Sequence, residues 1–190
     1  MVLGGGTGGI AAARALRRRL PAGDRVVLVE RSPVYRFAPS FLWIMSGFRR
    51  AEQISADIRR LRRRGIEVVE ASVEGIDPQR RRVATSDGDL AYERLVIALG
   101  AELAPLELPG FAESAYDLYT LEGAEAAGRA LATIEGGRVV ILVSRLPYKC
   151  PAAPYEAAFL SETLLSRRGV REGVSVDVYT PELLPMPTAG

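Results

Sequence analysis

The sequence predicts an α/β fold with a mainly parallel β-sheet, and two observations support this class. Short apolar segments rich in Val, Ile and Leu alternate along the chain with longer helical patterns, which is typical of βαβ units. With 48% hydrophobic and 25% charged residues, the 190-residue chain has the composition of a globular protein that buries a core. The length allows one large domain or two small ones.

The amino-terminal half shows the alternation clearly. A first strand over residues 1–3 runs into a glycine turn over 4–9, and an Ala-rich helix over 10–20 ends near Pro21. The elements predicted after it are a strand over 25–30, an amphipathic helix over 52–64 closed by Gly65, a strand over 66–70, a hairpin over 73–87 with its turn at Asp87-Gly88, and a strand over 94–99.

A domain boundary is predicted where Pro105 and Pro109-Gly110 interrupt this pattern, giving domains over residues 1–108 and 109–190. The second domain is predicted to contain a helix over 121–134, a turn at Gly136-Gly137, a strand over 138–143, a helix over 154–168 and a strand over 174–179, before Pro181, Pro185 and Pro187. Two strands are too few for an independent sheet, so we expect this second doubly wound sheet to be incomplete.

Positive charge is carried almost entirely by arginine, since Lys149 is the only lysine and the formal net charge is +2. The arginine clusters allow two interpretations, a phosphate-binding surface or solvated faces of helices and turns. No aromatic residues interleave with them as a nucleic-acid platform requires, so we expect no nucleic-acid partner. Weak attraction to an anionic membrane surface is compatible with them. The clusters are Arg17-Arg18-Arg19, Arg59-Arg60, Arg62-Arg63-Arg64 and Arg80-Arg81-Arg82.

Targeting and cross-linking signals are not found in the sequence. No stretch reaches the ~18–20 apolar residues that span a bilayer, and no charged region or cleavage site precedes the first strand. The single cysteine, Cys150, excludes an internal disulfide, and no metal ligands are predicted. We therefore expect a cytoplasmic or peripheral membrane protein.

The first motif with a chemical meaning is G-x-G-x-x-G at Gly4, Gly6 and Gly9. In a dinucleotide site these glycines provide a tight turn, a close approach of the backbone to the pyrophosphate, and helix–strand packing. The helix start then offers N–H groups to the phosphates, and Glu30, 21 positions after Gly9, is suited to accept from a ribose hydroxyl. The alternative is a plain structural turn, but the full context favours a Rossmann-like dinucleotide-binding domain.

A second stretch bears on whether the dinucleotide is FAD or NAD, which the glycine motif alone does not decide. Residues 92–101, followed by Leu108-Pro109-Gly110, resemble the second flavin-binding motif of flavoproteins with two dinucleotide domains. This chain has Ala98-Leu99-Gly100 where those proteins usually have Ala-Thr-Gly. A simple buried strand is the alternative, and the combination with the first motif favours FAD.

The segment around Cys150 follows the strand over 138–143, where a second dinucleotide site would need its own glycine turn. Ser144-Arg145-Leu146-Pro147 stands there instead, so a nicotinamide dinucleotide has no pyrophosphate cradle. Cys150 lies beside Lys149 and before a helix start, and both features favour the thiolate, the form that attacks sulfur or adds to a flavin. A buried inert cysteine is the alternative. Tyr155 and Glu156 are close enough in sequence to assist proton transfer at Cys150, but they are assigned first to packing and capping of that helix.

At these residues the sequence resembles the sulfide:quinone oxidoreductases and the flavoprotein subunit of flavocytochrome c sulfide dehydrogenase. The matching pieces are the glycine turn over 4–9, Phe37-Ala38-Pro39-Ser40-Phe41, the run from Cys150 to Glu156, and Thr180-Pro181-Glu182. The resemblance implies two-electron oxidation of sulfide at Cys150, through a cysteine persulfide, to FAD and then to quinone. It also implies that Pro39 and Ser40 lie near the flavin ring, the alternative being ordinary core.

The candidate catalytic residue is therefore Cys150. The candidate cofactor-binding residues are Gly4, Gly6, Thr7, Gly9, Glu30, Arg31, Pro39, Ser40, Val73, Ala98 and Gly100.

Members of the resembled family are about twice this length, and their carboxy-terminal half supplies the rest of the flavin site, a second redox cysteine, the quinone pocket and membrane-associating helices. We therefore expect an amino-terminal fragment that does not by itself turn over sulfide to quinone. Two other functions stay open: a flavoprotein that donates electrons to a cytochrome partner, and a non-catalytic dinucleotide-binding module. A type II NADH dehydrogenase is disfavoured because the second glycine turn is absent.

Overall fold

A computed structural model describes residues 1–104 and 108–185, and it confirms the α/β class. Pro105 and Pro187, two of the prolines noted above, lie outside the described residues. The elements in chain order are β1 Val2–Leu3, α1 Thr7–Arg19, β2 Val27–Glu30, β3 Val34–Arg36, α2 Phe41–Met45, β4 Ser55–Asp57, β5 Glu67–Glu70, β6 Val73–Asp77, β7 Arg82–Thr85, β8 Gly88–Ala91, β9 Val96–Ile97, α3 Phe111–Ser114, α4 Leu121–Thr133, β10 Gly137–Leu142, α5 Ala153–Arg168 and β11 Val174–Tyr179. Short 3-10 helices cover Ala38–Ser40, Ala51–Ile54, Ile58–Arg64 and Arg171–Gly173.

The chain forms two compact units, and each of them is built from two separate segments of the sequence. The first contains Met1–Phe37 and Ile54–Leu103, and the second contains Ala38–Gln53 together with the described residues from Ala104 onward. The predicted cut at 108/109 lies close to the later junction. It does not include the 38–53 segment that the second unit takes from the first half of the chain.

The first unit is built on a four-stranded parallel sheet with the strand order β5-β2-β1-β9. The two residues of β1 pair with Leu28 and Val29 on one side and with Val96 and Ile97 on the other. Because all four strands are parallel, their carboxyl ends meet at one edge of the sheet. The glycine turn, Glu30 and the residues after β9 therefore belong to the same edge.

The two central strands of this sheet, β1 and β2, are covered on both faces, which explains their unbroken apolar runs. On one face Val2 and Leu28 pack with Ala13 of α1. On the other face Leu3 and Val29 pack with residues of the β6–β8 region. Burial on both sides stabilises the sheet by roughly 1.5–3 kcal/mol for each fully buried aliphatic side chain.

The remaining strands of the first unit form two antiparallel sheets. The predicted hairpin over 73–87 is larger than expected, because β6, β7 and β8 form a three-stranded meander. Asp87 lies in the turn between β7 and β8, and Gly88 follows it with a left-handed φ of 101°. The predicted turn is therefore present, but it joins the second and third strands.

The predicted amphipathic helix over 52–64 is wrong. The structure has the 3-10 helix Ala51–Ile54, then β4, then the 3-10 helix Ile58–Arg64. Ile54 and Ile58 are both buried, so their four-residue spacing resembles one helical face. Pairing of β4 with β3, which the local pattern does not contain, extends the backbone between them, and the Asp57 carboxylate accepts from the Arg59 N–H to start the next helical turn.

In the second unit α5 packs on the parallel pair β10 and β11, which are in register along six residue pairs, and α4 packs on α5. α2, which the sequence did not predict, also packs on α4 and α5. The α2–α4 contact is close, since a Cβ on Gly128 would come within 2.8 Å of the Met45 carbonyl oxygen. The predicted bounds of β11 agree with the structure, and those of α4, β10 and α5 agree within one residue.

Each arginine cluster contributes at least one side chain to a local contact. Arg17 donates to the Leu20 carbonyl at 2.9 Å, Arg59 pairs with Asp57 at 2.9 Å, and Arg62 donates to the Val68 carbonyl at 2.9 Å. Arg82 pairs with Asp89 at 3.4 Å. The two ion pairs, Arg59–Asp57 and Arg82–Asp89, are exposed, and an exposed ion pair contributes about 0–1 kcal/mol to stability. They therefore orient surface side chains more than they stabilise the fold. Among the described residues, no helix combines the length and apolarity that crossing a membrane requires.

Candidate functional site

The glycine turn joins β1 to α1 with only three residues between them. Gly4 has a left-handed φ of 98°, and a Cβ there would lie 2.3 Å from the Ala98 carbonyl oxygen. A Cβ on Gly9 would lie 1.8 Å from the Gly4 carbonyl oxygen. Both positions therefore require glycine, because Gly4 lies against the backbone that follows β9 and Gly9 packs the first turn of α1 directly on the glycine turn.

The outer side of the same turn is open. A Cβ added to Gly6 or Gly8 would meet no atom within 4 Å. Gly6 is the N-cap of α1 and provides no capping side chain, and the first turn of the helix contains no acidic residue. The first N–H groups of a helix have no partner within the helix, so this surface presents backbone donors and positive dipole to an anion. The residues fit the pyrophosphate of a dinucleotide.

Glu30, at the carboxyl end of β2, closes one side of the turn. Its Oε2 accepts from the Gly5 N–H at 2.6 Å, and its Oε1 accepts from the Ser32 N–H at 2.9 Å. A carboxylate has about four acceptor positions, so these two bonds leave capacity for a hydroxyl donor. Glu30 therefore holds the backbone of the turn and remains suited to a ribose hydroxyl.

Four more candidates of the first unit have structural positions of their own. Ala98 follows β9 and packs on the glycine turn, where its Cβ would be 3.6 Å from a Cβ on Gly9. Gly100 has a left-handed φ of 78°. Thr7, the first residue of α1, shares a 2.9 Å hydrogen bond with the Tyr35 hydroxyl. Arg31 is exposed directly after Glu30.

The last three cofactor candidates lie in elements other than the glycine turn and the strand ends beside it. Val73 opens β6 and packs against the apolar cluster around Leu3. Pro39 and Ser40 lie in the 3-10 helix Ala38–Ser40 of the second unit, where Pro39 is exposed and Ser40 is buried. Their roles toward the cofactor stay predictions.

The corresponding connection in the second unit, from β10 to α5, is longer and chemically different. Residues 143–152 separate the two elements, and none of them is glycine. Cys150 lies in this segment with its side chain exposed, and its carbonyl accepts from the Ala153 N–H at 3.0 Å. Its φ of 59° is left-handed, which costs a non-glycine residue about 1–2 kcal/mol. The surrounding contacts must therefore hold this residue in place.

Tyr119 provides one such contact, to the residue before Cys150. Its hydroxyl donates to the Lys149 carbonyl, and the Lys149 ammonium lies 5.3 Å from the centre of its ring. Burial raises the pKa of the Tyr119 hydroxyl, with nearby Cys150 and Asp117 as smaller causes. Tyr119 is therefore neutral at ordinary pH and acts as a donor.

Glu182 provides the other contacts, from the segment that follows β11. Tyr148 donates to its Oε1 at 2.9 Å, and Tyr155 donates to its Oε2 at 2.6 Å. Thr180 donates to Oε2 at 3.2 Å. The hydrogen bond from Tyr155 holds the pKa of the Glu182 carboxyl below its ordinary range, with the Tyr148 and Thr180 bonds acting in the same direction.

The sequence did not predict these supporting residues. Glu182 was part of a matching segment without an assigned role, and Tyr155 was assigned to packing. Tyr148 and Tyr155 are 34 and 27 positions from Glu182, so no local pattern connects them. Ser32 and Tyr35, which contact Glu30 and Thr7, were likewise not identified.

Comparison with known proteins agrees with this architecture. A family model described as pyridine nucleotide-disulphide oxidoreductase matches residues 1–171. A sulfide-quinone reductase of Aquifex aeolicus is 31% identical over 185 residues, which are 96% of this chain and 43% of that protein. The X-ray structure of the Aquifex aeolicus sulfide:quinone oxidoreductase matches the fold with a TM-score of 0.84.

Two further relatives have different activities in their names, sulfide:quinone oxidoreductase and NADH dehydrogenase-like protein. The mitochondrial sulfide:quinone oxidoreductase of Mus musculus is 29% identical over 93% of this chain and 40% of its own length. An NADH dehydrogenase-like protein of Mycobacterium tuberculosis is 32% identical over 72% of this chain and 35% of its own length. The chain thus spans less than half the length of these relatives.

Proposed function

Because the chain belongs to the pyridine nucleotide-disulphide oxidoreductase family, we propose that it is the FAD-binding and sulfide-reacting part of a sulfide:quinone oxidoreductase. FAD is the cofactor of this family of flavoproteins, and the chain has the Rossmann-like unit that binds it. The resemblance to sulfide:quinone oxidoreductases extends over nearly the whole chain.

The first unit is proposed to hold the ADP half of FAD at the glycine turn. Gly4 and Gly9 shape the turn, Gly6 leaves its outer surface open, and the Thr7 helix start offers N–H donors to the pyrophosphate. Glu30 accepts from the ribose. Arg31, Pro39, Ser40, Val73, Ala98 and Gly100 complete the proposed set.

The observation that carries the sulfide part is the exposed Cys150 in the connection between β10 and α5, in place of a second glycine turn. Without such a turn, the second unit lacks the backbone cradle that a nicotinamide dinucleotide needs. It presents a thiol instead. Lys149 precedes this cysteine in the sequence, and α5 begins three residues after it.

The proposed reaction joins one hydrosulfide ion to the Cys150 thiolate. An S–S bond forms to give the cysteine persulfide, one proton leaves the hydrosulfide, and two electrons are released. FAD held at the glycine turn would supply the two-electron acceptor for this oxidation, with quinone as the final acceptor. The chain's own contribution is to present the Cys150 sulfur in a fixed, exposed position and to bind the dinucleotide.

The proposal is tested by the visible absorption of the FAD-loaded chain, recorded anaerobically before and after sulfide is added. We expect sulfide to bleach the flavin bands in the parent and not in a Cys150→Ser variant, which retains the size of the side chain. Bleaching that is the same in both proteins would show that the cysteine is not used. That result would leave a dinucleotide-binding module as the better description.

The same experiment separates the second candidate, an NADH-oxidising flavoprotein, which the mycobacterial relative suggests. We expect NADH to leave the flavin oxidised, because residues 143–152 contain no glycine turn. Bleaching by NADH would favour that candidate. Reduction of an added cytochrome, in preference to quinone, would favour a cytochrome partner.

We further propose that these 190 residues do not complete the reaction with quinone, since they span only 43% of the Aquifex aeolicus relative. Contact with a membrane surface and a quinone site are proposed for the assembled enzyme. Steady quinone reduction by this chain with sulfide alone would contradict the proposal.

A further inference from the structure

We infer that Glu182 is a positioning residue for Cys150, acting through the two tyrosines that flank it in sequence. The inference rests on the proposed role of Cys150, and it assigns a function to the Thr180-Pro181-Glu182 segment, which the proposed reaction does not use.

The carboxylate joins three separate parts of the second unit. Tyr148 belongs to the segment that carries Cys150, Tyr155 belongs to the first turn of α5, and Glu182 follows β11. The Glu182 side chain therefore connects Tyr148 and Tyr155, which lie on either side of Cys150 in the sequence, to the segment that follows β11. Hydrogen bonds to an ionised acceptor are stronger than neutral ones, so this connection is firm.

The Glu182 side chain is itself held in one orientation. Thr180 donates to its Oε2 at 3.2 Å, and the Glu182 backbone N–H donates back to the Thr180 hydroxyl at 3.2 Å. The partners that the structure gives this carboxylate are hydroxyl groups. Each hydroxyl donates one directional hydrogen bond to the carboxylate, and such bonds fix the orientation of the donor side chain, as a positioning role requires.

Cys150 needs support of this kind. Its backbone is left-handed, a conformation that a non-glycine residue keeps only when its surroundings enforce it. Tyr119 anchors the Lys149 carbonyl on one side, and Glu182 anchors Tyr148 and Tyr155. The sulfur is therefore presented from a fixed backbone, although its side chain is exposed.

The test uses Cys150 as its own reporter, because it is the only cysteine in the chain. A nitroxide spin label is attached there, and its mobility is read by electron paramagnetic resonance in the parent and in variants. We expect Glu182→Ala to raise the mobility severalfold. Glu182→Gln should have a smaller effect, because its amide oxygen still accepts from one tyrosine. The control Glu172→Gln removes the same charge from an exposed residue of this unit and should change nothing.

A pH profile separates positioning from general loosening of the fold. Among the described residues, the titratable groups that hydrogen-bond to the Glu182 carboxylate are Tyr148 and Tyr155, and both stay protonated in acid. In the parent, mobility should rise as the pH falls through the lowered pKa of Glu182, and this step should be missing in Glu182→Gln. Circular dichroism over the same range identifies any variant that unfolds. The doubly substituted Tyr148→Phe/Tyr155→Phe chain should reproduce the Glu182→Ala mobility.

The possible failures are distinguishable. If the label is equally mobile in the parent and in Glu182→Ala, the inference is wrong whatever sulfide does. If Cys150→Ser still allows sulfide to bleach the flavin, the proposed function is wrong whatever the label reports. Support for both requires higher mobility and slower bleaching in Glu182→Ala, with Glu172→Gln like the parent in each measurement.

Discussion

The two strand-to-helix connections of this chain, β1 to α1 and β10 to α5, occupy equivalent places in their units but are built in opposite ways. The first is a short turn in which Gly4 and Gly9 allow close backbone packing and Gly6 leaves an open surface. The second is a ten-residue segment, 143–152, with no glycine and an exposed Cys150. The difference shows how one supersecondary unit can present either backbone donors or an exposed thiol.

The two connections also differ in how they are held. At the first connection, Glu30 accepts hydrogen bonds from the backbone N–H groups of Gly5 and Ser32. At the second connection, Glu182 accepts hydrogen bonds from the hydroxyl groups of Tyr148 and Tyr155. In each, one carboxylate organises the connection, but the first bonds the backbone directly and the second acts through side chains. The first should therefore tolerate change less well.

The largest effect is expected for Gly9→Ala. Its Cβ would lie 1.8 Å from the Gly4 carbonyl oxygen, so the first turn of α1 must move. We expect the free energy of unfolding to fall by about 3 kcal/mol and FAD to be lost. Thermal unfolding and flavin absorbance measure the two effects.

Gly6→Ala is the matched control for that change. Its Cβ would meet no atom within 4 Å, and its φ of −73° suits any residue. We expect unchanged stability but an FAD affinity at least about tenfold weaker, equivalent to ~1.4 kcal/mol, because the methyl group enters the cradle. Equal loss of stability in both variants would contradict the distinction between the packed and open sides of the turn.

Glu30→Gln should have the next largest effect. The amide keeps one acceptor oxygen, so one of the two backbone N–H groups that Glu30 satisfies loses its acceptor. We expect a loss of about 1–2 kcal/mol in unfolding free energy. Chemical denaturation is the measurement, with Glu67→Gln as control. Glu67 makes only an exposed pair with Arg25, so a loss as large in that variant would argue against a special role for Glu30.

A smaller effect distinguishes glycine from alanine at position 150. Because Cys150 has a φ of 59°, Cys150→Gly should be more stable than Cys150→Ala by about 1 kcal/mol. Midpoints of thermal unfolding for the two variants give the difference. Greater stability of the alanine variant would mean that the left-handed conformation is not maintained in solution.

The smallest expected effect is a change in the ionisation of Tyr148. Burial, followed by the hydrogen bond to Glu182, raises the pKa of Tyr148 to about 12. Since this exceeds the ordinary value of about 10, the associated stability is present below pH ~10 and is lost as the pH rises toward the higher value. Ultraviolet difference spectroscopy should detect tyrosines that ionise late. Tyr148→Phe should remove the Tyr148 ionisation, while that of Tyr119, whose pKa is also raised, remains. In Glu182→Gln the Tyr148 ionisation should occur at lower pH.

The candidate site was predictable from the sequence to different extents in the two units. The G-x-G-x-x-G spacing and Glu30 are local to one βαβ unit, so the motif also predicted their neighbourhood in space. The support of Cys150 was not predictable, since Glu182 is 34 positions from Tyr148 and has no spacing pattern. The roles of Pro39, Ser40 and Val73 toward FAD stay predictions.

The sequence by itself determined the α/β class, the glycine turn and the bounds of elements such as β11, because apolar periodicity and glycine positions act over a few neighbouring residues. Only the tertiary structure decided that residues 55–57 form a strand, that residues 38–53 join the second unit, and that Glu182 meets two distant tyrosines. These features depend on pairings between segments far apart in the chain. Their free energy comes from contacts that no local window of the sequence contains.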